Sequence, residues 1–206
     1  IFTSDNGPWY GGSSGGLRNM KGSSWEGGYR VPFMVRWPGK IPPGQTSAAL
    51  GVTMDIFDTA LAVAGISAPD DRVIDGRNLM PVLTTKAPSP HAVIFGHQGP
   101  RLATVRDGRW KLHVLAANER RDGKAGERWI DPRGPDGVTM LAPYEQYQPT
   151  EYPGLRTGVE AKAGLLFDLQ NDPGEQRDVA AENPEIVARL RKTFEEMNRL
   201  VPAVPD

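Results

Sequence analysis

The first stretch of this sequence whose residue types could do chemistry is a short polar turn, Asp5-Asn6-Gly7. It follows the apolar stretch Ile1–Ser4, which reads as a short buried strand. In open α/β sheets, ligands bind beyond the carboxyl ends of the strands. Asp5 and Asn6 place a carboxylate beside an amide oxygen, and such hard oxygen atoms suit Ca²⁺ or Mg²⁺. The stretch therefore predicts a metal-binding turn, although the same composition is typical of a plain turn.

The amino-acid composition limits which binding partners and which kinds of site the sequence supports. Among 206 residues, 24 Lys and Arg stand against 25 Asp and Glu, which gives a net charge of −1. No basic excess therefore points to nucleic acid or to an anionic membrane surface. Cysteine is absent, which excludes a disulfide framework, thiolate chemistry and a zinc–cysteine site. The most apolar stretch, residues 60–66, is far too short to cross a bilayer.

The first half of the chain alternates loops with short elements. Residues 7–30 are rich in glycine but also in aromatic and aliphatic side chains, so we expect a long loop wrapped onto a body. Pro32–Trp37 reads as a buried strand. Thr53 is a good N-cap for a helix that ends at Gly65. One face of this helix is apolar, with Ile56, Phe57, Ala60, Leu61 and Ala64. A short helical piece is expected around Leu79–Leu83.

From residue 91 onwards the pattern indicates a small antiparallel sheet. Strands are predicted at Ala92–Phe95, Leu102–Arg106, Arg109–Leu115 and Leu165–Leu169. Asp107-Gly108 predicts a two-residue type I′ hairpin turn. Asn183 is the predicted cap of a last helix with Pro184 at its first position, and an apolar stripe would lay this helix across the sheet. Residues 116–160 read as an excursion over the surface.

Several segments of the sequence resemble motifs of the type I sulfatases and occur in the same order as in that family. These are Phe2–Gly7, Leu17–Pro32, Arg36–Ile41, Asp75–Leu79, Val105–Leu112 and Leu166–Glu175. Met54–Gly65 and Leu200–Ala203 look closest to the branch of N-acetylgalactosamine-6-sulfatase and arylsulfatase A. The resemblance implies an alkaline-phosphatase-like α/β fold. Residues 1–90 would be the C-terminal part of the catalytic lobe, with its metal and sulfate-site segments. Residues 91–206 would be a small α+β subdomain, the antiparallel sheet packed by its C-terminal helix.

The resemblance also implies roles for three residues. Asp5 and Asn6 match two ligands of a divalent ion, usually Ca²⁺, and Lys21 matches a catalytic lysine that contacts the sulfate of the substrate. A compact ammonium with three donors suits sulfate oxygens. The implied substrate is a sulfated small molecule or a sulfated glycan.

Other polar residues are interpreted from the sequence alone. His97 follows a predicted strand and is a candidate for the mouth of the substrate site, with a plain surface loop as the alternative. Glu26 and Arg30 are expected to be structural, as a pair that pins the glycine-rich loop. His91 and His113 are expected to be structural as well.

The sequence departs from the family pattern at the nucleophile. The family uses a formylglycine made from the first residue of Cys/Ser-x-Pro/Ala-x-Arg. The nearest approach, Ser67–Arg72, has its arginine one residue too late and reads as a surface loop. The resemblance therefore implies a C-terminal fragment that is inactive alone and has the N-terminal part of the same enzyme as its partner. It also implies an exported protein, of the periplasmic, extracellular or lysosomal type.

Two other classes of function remain open at this point. Phosphoesterases of the alkaline-phosphatase superfamily share strand-end metal ligands, but they use several histidines, and none of the three histidines here lies beside Asp5. A non-enzymatic calcium- or carbohydrate-binding module is the second alternative. The apolar start at Ile1-Phe2 argues against it, because an intact module would then expose a sheet edge.

Overall fold

The computed structural model describes residues 1–9, 12–119 and 152–201. Most of the predicted surface excursion at 116–160 therefore lies outside the described residues. The elements are β1 (Phe2–Thr3), α1 (Glu26–Tyr29), β2 (Phe33–Met34), α2 (Asp55–Ala64), α3 (Met80–Thr85), β3 (Ile94–Gln98), β4 (Arg101–Arg106), β5 (Trp110–His113), β6 (Leu165–Asp168) and α4 (Pro184–Asn198). No helix of the described part is long and apolar enough to cross a membrane.

The four strands β3 to β6 form one antiparallel sheet in sequence order, as predicted. The hairpin between β4 and β5 differs from the prediction in its turn. Asp107 N donates to Trp110 O, so Gly108 and Arg109 are the two central residues. Only Gly108 has a positive φ, at 94°. The predicted type I′ turn is therefore wrong, because a single positive φ at the first central position is the pattern of a type II′ turn.

Helix α4 covers one face of this sheet. It begins at Pro184 after Asn183, which confirms both predicted positions. Leu190 and Phe194 of the helix are buried against three residues of the sheet core, Val105, Leu112 and Leu166. These three are also neighbours across the strands, because Leu112 pairs with both Val105 and Leu166. The predicted apolar stripe therefore packs as expected.

The glycine-rich segment covers the opposite face. Trp25 is fully buried there in a cluster with Leu165 and Phe167 of β6. Arg18 places its guanidinium carbon 3.6 Å from the centre of the Trp25 ring. The predicted wrapping of this loop onto a body is confirmed for residues 18–29, and the body is the four-stranded sheet.

The N-terminal ribbon is more exposed than predicted. Strands β1 and β2 pair antiparallel, with Phe2 opposite Met34. Phe2 is 61% exposed and Met34 is 58% exposed. The prediction of two buried strands is wrong for this structure, because no second layer of the described residues covers the ribbon.

Helix α2 is anchored by its polar side. It begins at Asp55 after Met54, not after the predicted cap Thr53, and it ends at Gly65 as predicted. Its buried residues are Asp55 and Thr59, whereas Phe57 on the predicted apolar face is half exposed. Asp55 accepts from the backbone N–H groups of Val52 and Arg77 at 2.8 Å each. The start of the helix is thus held by hydrogen bonds to the segment before it and to the loop after it.

Candidate functional site

The predicted metal-binding turn lies directly after β1. The Asp5 carboxylate is exposed and accepts a hydrogen bond of 2.6 Å from the side-chain amide of Asn6. The hydroxyl of Ser4 donates to the other carboxylate oxygen at 3.3 Å. The two predicted ligands are therefore in contact with each other, with Asp5 exposed and Asn6 partly buried.

The Lys21 segment is fastened to this turn through the backbone. Gly7 N donates to Gly28 O at 2.9 Å, and Lys21 N donates to Pro8 O at 3.0 Å. A Cβ on Gly7 would lie 1.9 Å from Gly27 O, so only glycine permits this approach. The two segments that the sequence predicted as one site are thus brought together by main-chain contacts.

The Lys21 side chain is exposed, whereas its neighbours on both sides are held. Asn19, at φ 62°, accepts from Met20 N through its side chain at 2.9 Å, and Met20 is fully buried. Ser23 to Gly28 are buried as well. Within the described ranges, no carboxylate pairs with the Lys21 ammonium. The lysine therefore presents an exposed charge on a loop whose flanking residues are buried.

A buried charge network lies under this loop, and sequence reasoning missed it. Lys111 Nζ donates to Ser24 O at 2.9 Å and to Glu26 Oε1 at 3.0 Å. The same ammonium lies 3.0 Å from Glu175 Oε1. Arg106 pairs with the second oxygen of Glu26 at 2.7 Å. The expected pair of Glu26 with Arg30 is therefore wrong, because the carboxylate turns inward to β4 and β5.

The pKa values of the network follow from burial and its partners. Burial alone would lower the pKa of Lys111, but the carboxylates of Glu175 and Glu26 outweigh it and raise the pKa. Burial would likewise raise the pKa of Glu175, yet the Lys111 charge and a hydrogen bond from His113 lower it to about 2. Burial lowers the pKa of His113 below its ordinary value. The network therefore holds a charged Lys111, a charged Glu175 and a neutral His113.

Two of the three histidines have structural contacts, as expected. His113 Nε2 lies 2.8 Å from Glu175 Oε1, and its ring packs 4.6 Å from the Trp25 ring. His91 Nε2 lies 2.8 Å from Asp55 Oδ1. Both rings are thus used to hold elements together.

His97 lies inside strand β3, not in a loop after it. A bulge falls between Gly96 and His97. The Tyr29 hydroxyl donates to His97 O and accepts from His97 N at 2.8 Å. The His97 residue is exposed and its backbone is held by the same segment that carries Lys21. Its contact with a substrate stays a prediction.

The donor set at Asp5 and Asn6 fits part of a calcium shell. Ca²⁺ takes about six to eight oxygen ligands, so two adjacent side chains supply only a fraction. No group of three or more His, Cys, Asp or Glu suited to a metal occurs in residues 1–9, 12–119 and 152–201. Asn6 now uses its amide nitrogen on Asp5, so binding a cation requires the amide to turn its oxygen outward. A calcium site at this turn would need further oxygen ligands beyond these two side chains.

Ser67–Arg72 forms an exposed loop after α2, as predicted. Arg72 pairs with its neighbour Asp71 at 2.6 Å. The loop therefore lacks the buried setting of an activated nucleophile.

Comparison with known proteins identifies the family. The profile described as "Sulfatase" matches residues 1–66, and the profile described as "C-terminal region of aryl-sulfatase" matches residues 89–206. The chain belongs to the sulfatase family. Its predicted membership is thereby confirmed.

Individual sulfatases match almost the whole chain. N-acetylgalactosamine-6-sulfatase of Mus musculus is 35% identical over 216 residues, which covers 100% of this chain and 39% of that protein. Steryl-sulfatase of Mus musculus is 36% identical over 193 residues, which covers 90% of this chain and 27% of that protein. The chain therefore spans less than two-fifths of the length of these relatives.

The fold comparison agrees. The crystal structure of a sulfatase from Pseudoalteromonas sp. has a TM-score of 0.67 at 22% identity. The match covers 99% of this chain and 38% of that chain. The alkaline-phosphatase-like α/β fold with a small antiparallel sheet and a C-terminal helix is confirmed. The proposed division near residue 90 stays a prediction.

Proposed function

We propose that the sulfatase containing this chain hydrolyses sulfate esters, with Lys21 binding the sulfate group. One observation carries the proposal: Gly7 and Pro8 bond to Gly28 and Lys21, which fixes the Asp5-Asn6 turn beside the lysine loop. The turn, which has oxygen atoms suited to a cation, and the lysine loop, which has an ammonium suited to an anion, are thus neighbours.

The residues of this chain would stabilise the negative charge that develops on the sulfate ester during the reaction. Sulfate transfer builds negative charge on the sulfuryl and leaving oxygens, and a fixed ammonium compensates for it. Lys21 supplies that ammonium from a loop whose flanks are buried, so little reorganisation is needed. Asp5 and Asn6 would contribute two oxygen ligands to a divalent ion, Ca²⁺ by our proposal. When bound, such an ion draws charge away from sulfate oxygens as a Lewis acid.

The nucleophile is proposed to lie outside this chain. The described residues and the full sequence hold no cysteine, and the nearest serine motif is an exposed loop of irregular spacing. The chain by itself should therefore turn over no sulfate ester. Removing the nucleophile of a catalytic unit costs several orders of magnitude in rate.

The remaining part of the same protein is the proposed partner. Apolar side chains are exposed on the ribbon and on α2: Ile1, Phe2, Phe33, Met34, Phe57, Val63 and Ile66. Large apolar surfaces of this kind mark contacts with other protein. Packing by the rest of the sulfatase would bury them.

We further propose a sulfated sugar as the substrate. The support is the similarity to N-acetylgalactosamine-6-sulfatase along the full chain. The steryl-sulfatase match covers less of this chain, although its identity is similar. A panel of sulfated N-acetylgalactosamine, a sterol sulfate and an aryl sulfate would separate these classes.

The test uses the full-length protein. Lys21→Ala should lower kcat/KM for the best sulfate ester by roughly 100-fold, a typical loss for one electrostatic contact in an active site. Lys192→Ala removes an exposed lysine from α4, on the far face of the sheet, and should leave kcat/KM unchanged. Equal rates for both variants would remove Lys21 from the site. Hydrolysis of phosphate esters in preference to sulfate esters would overturn the proposed reaction.

A further inference from the structure

Lys111 joins three separate parts of the chain at one buried ammonium. It projects from β5, bonds to Ser24 and Glu26 of the lysine-bearing segment, and contacts Glu175 in the turn after β6. Its side chain is only 3% exposed. Lys21 lies three residues before Ser24, and Lys111 itself is enclosed, so Lys111 cannot touch a substrate directly.

We propose that Lys111 is a positioning residue for Lys21. Through Ser24 O and Glu26, it fixes the register of residues 18–29 on the sheet, and thereby the place from which Lys21 reaches the sulfate. This inference rests on the proposed function of Lys21. It assigns to the C-terminal sheet a part in the reaction, although none of its buried residues meets the substrate.

The charges around Lys111 explain why an ammonium is needed there. Glu26 keeps a second cation, Arg106. Among the residues that the structure describes, the further partners of the Glu175 carboxylate are the neutral His113 and the backbone N–H of Glu26. Without Lys111, the carbonyl of Ser24 and two carboxylate oxygens lose their shared donor. Buried acceptors without donors are unfavourable, so the segment would move to find water. That movement would displace Lys21.

The neighbouring strand residue provides a matched control. Leu112 is fully buried on the opposite face of β5, against α4. Leu112→Ala removes contacts between the sheet and α4 and leaves the contacts of residues 18–29 in place. Lys111→Met instead removes the hydrogen bonds between β5 and residues 18–29. Both variants are made in the full-length sulfatase and assayed well below their melting temperatures.

The decisive readout is the coupling between Lys111 and Lys21. Lys111→Met should lower kcat/KM by about tenfold when Lys21 is present, a size typical of coupled neighbours. In a Lys21→Ala background the same change should lower it by less than about twofold, because the residue to be positioned is gone. Leu112→Ala should change kcat/KM by less than about twofold in both backgrounds. Equal losses from Lys111→Met in both backgrounds would overturn the proposal.

A second readout does not depend on activity. Amide hydrogen exchange in residues 18–29 should rise in Lys111→Met and stay unchanged in Leu112→Ala, which should instead raise exchange in α4. If Lys111→Met does not fold, Glu26→Gln replaces it, because this variant keeps the volume and removes one carboxylate charge. Unchanged exchange at residues 18–29 in the variant that folds would overturn the proposal. A wild-type protein with no sulfate-ester turnover would overturn the proposed function, and the exchange result would still decide how the segment is held.

Discussion

Replacing Gly7 by alanine should uncouple the metal-binding turn from the lysine segment. The new Cβ would lie 1.9 Å from Gly27 O, 2.8 Å from Gly27 C and 2.9 Å from Gly28 C. Real Cβ atoms stay at least 3.0 Å from such atoms, so the two backbones must separate by about 1.1 Å. The obstacle is main chain on both sides, and no side chain can rotate away. The hydrogen bond from Gly7 N to Gly28 O would be lost with this separation.

Two effects of this separation can be estimated. Overpacking costs about 1–3 kcal/mol, and the lost hydrogen bond adds about 1 kcal/mol, so we expect a loss of about 3 kcal/mol in the free energy of unfolding. A displacement of about 1 Å between groups of one active site costs on the order of 100-fold in rate. We therefore expect kcat/KM for a sulfate ester to fall by about that factor in folded Gly7→Ala protein.

The assay compares thermal melting and sulfate-ester kinetics of the full-length protein. Gly51→Ala is the matched control, because a Cβ there would meet its nearest atom at 3.5 Å, an ordinary contact. Gly51→Ala should have the melting temperature and the kcat/KM of the wild type. Wild-type melting together with wild-type kcat/KM in Gly7→Ala would refute the argument that this contact assembles the site.

Two further predictions concern the buried polar groups. Because the folded pKa of His113 lies below its unfolded value near 6.5, its stabilising effect is present above pH 6.5 and is lost as the pH falls below it, by at most about 1.4 kcal/mol per pH unit. Urea unfolding between pH 6.5 and 5 should show this loss in the wild type and a smaller one in His113→Gln; identical slopes would contradict it. Glu175, with a folded pKa of about 2, contributes its own loss only below about pH 4.5. Asp55→Asn should lower the free energy of unfolding by about 2 kcal/mol, because an amide replaces an acceptor of three hydrogen bonds. Asp58 is the control, because its buried Oδ2 has no hydrogen-bond partner among the described residues, so Asp58→Asn should melt close to the wild type. Equal melting of the two variants would contradict this.

Elements whose signals are local could be predicted from the sequence. Asn183 and Pro184 mark the start of α4, and the spacing of its apolar residues gives the face that packs on the sheet. The four strands follow from short apolar runs between turn residues. The predicted hairpin turn is off by one position, because Asp107 pairs across the turn with Trp110 and leaves Gly108 as the first central residue.

The contacts that hold the candidate site are not local, and this is why they escaped prediction. Lys111 and Glu26 are 85 positions apart, and Glu26 and Glu175 are 149 apart. Gly27-Gly28 cannot hold the loop by packing, so the sequence alone favours a local pair of Glu26 with Arg30. One signal was present: Lys111 and His113 alternate with Trp110 and Leu112 on one short strand, and charged residues on the inner side of a strand require buried partners.

A buried ion network of this kind has more effect on geometry than on stability. Removing charges from water costs about as much as their mutual attraction returns, so an apolar replacement of equal volume is often as stable. Such a replacement would bury the same area but would leave the segment free to slide, because apolar contacts have no direction. Hydrogen bonds from Lys111 to Ser24 O and Glu26 do have direction, and they act next to the residue proposed to bind sulfate. The position of Lys21 therefore depends on charges that lie on β5 and in the turn after β6, in the part of the chain that holds no proposed ligand of the metal.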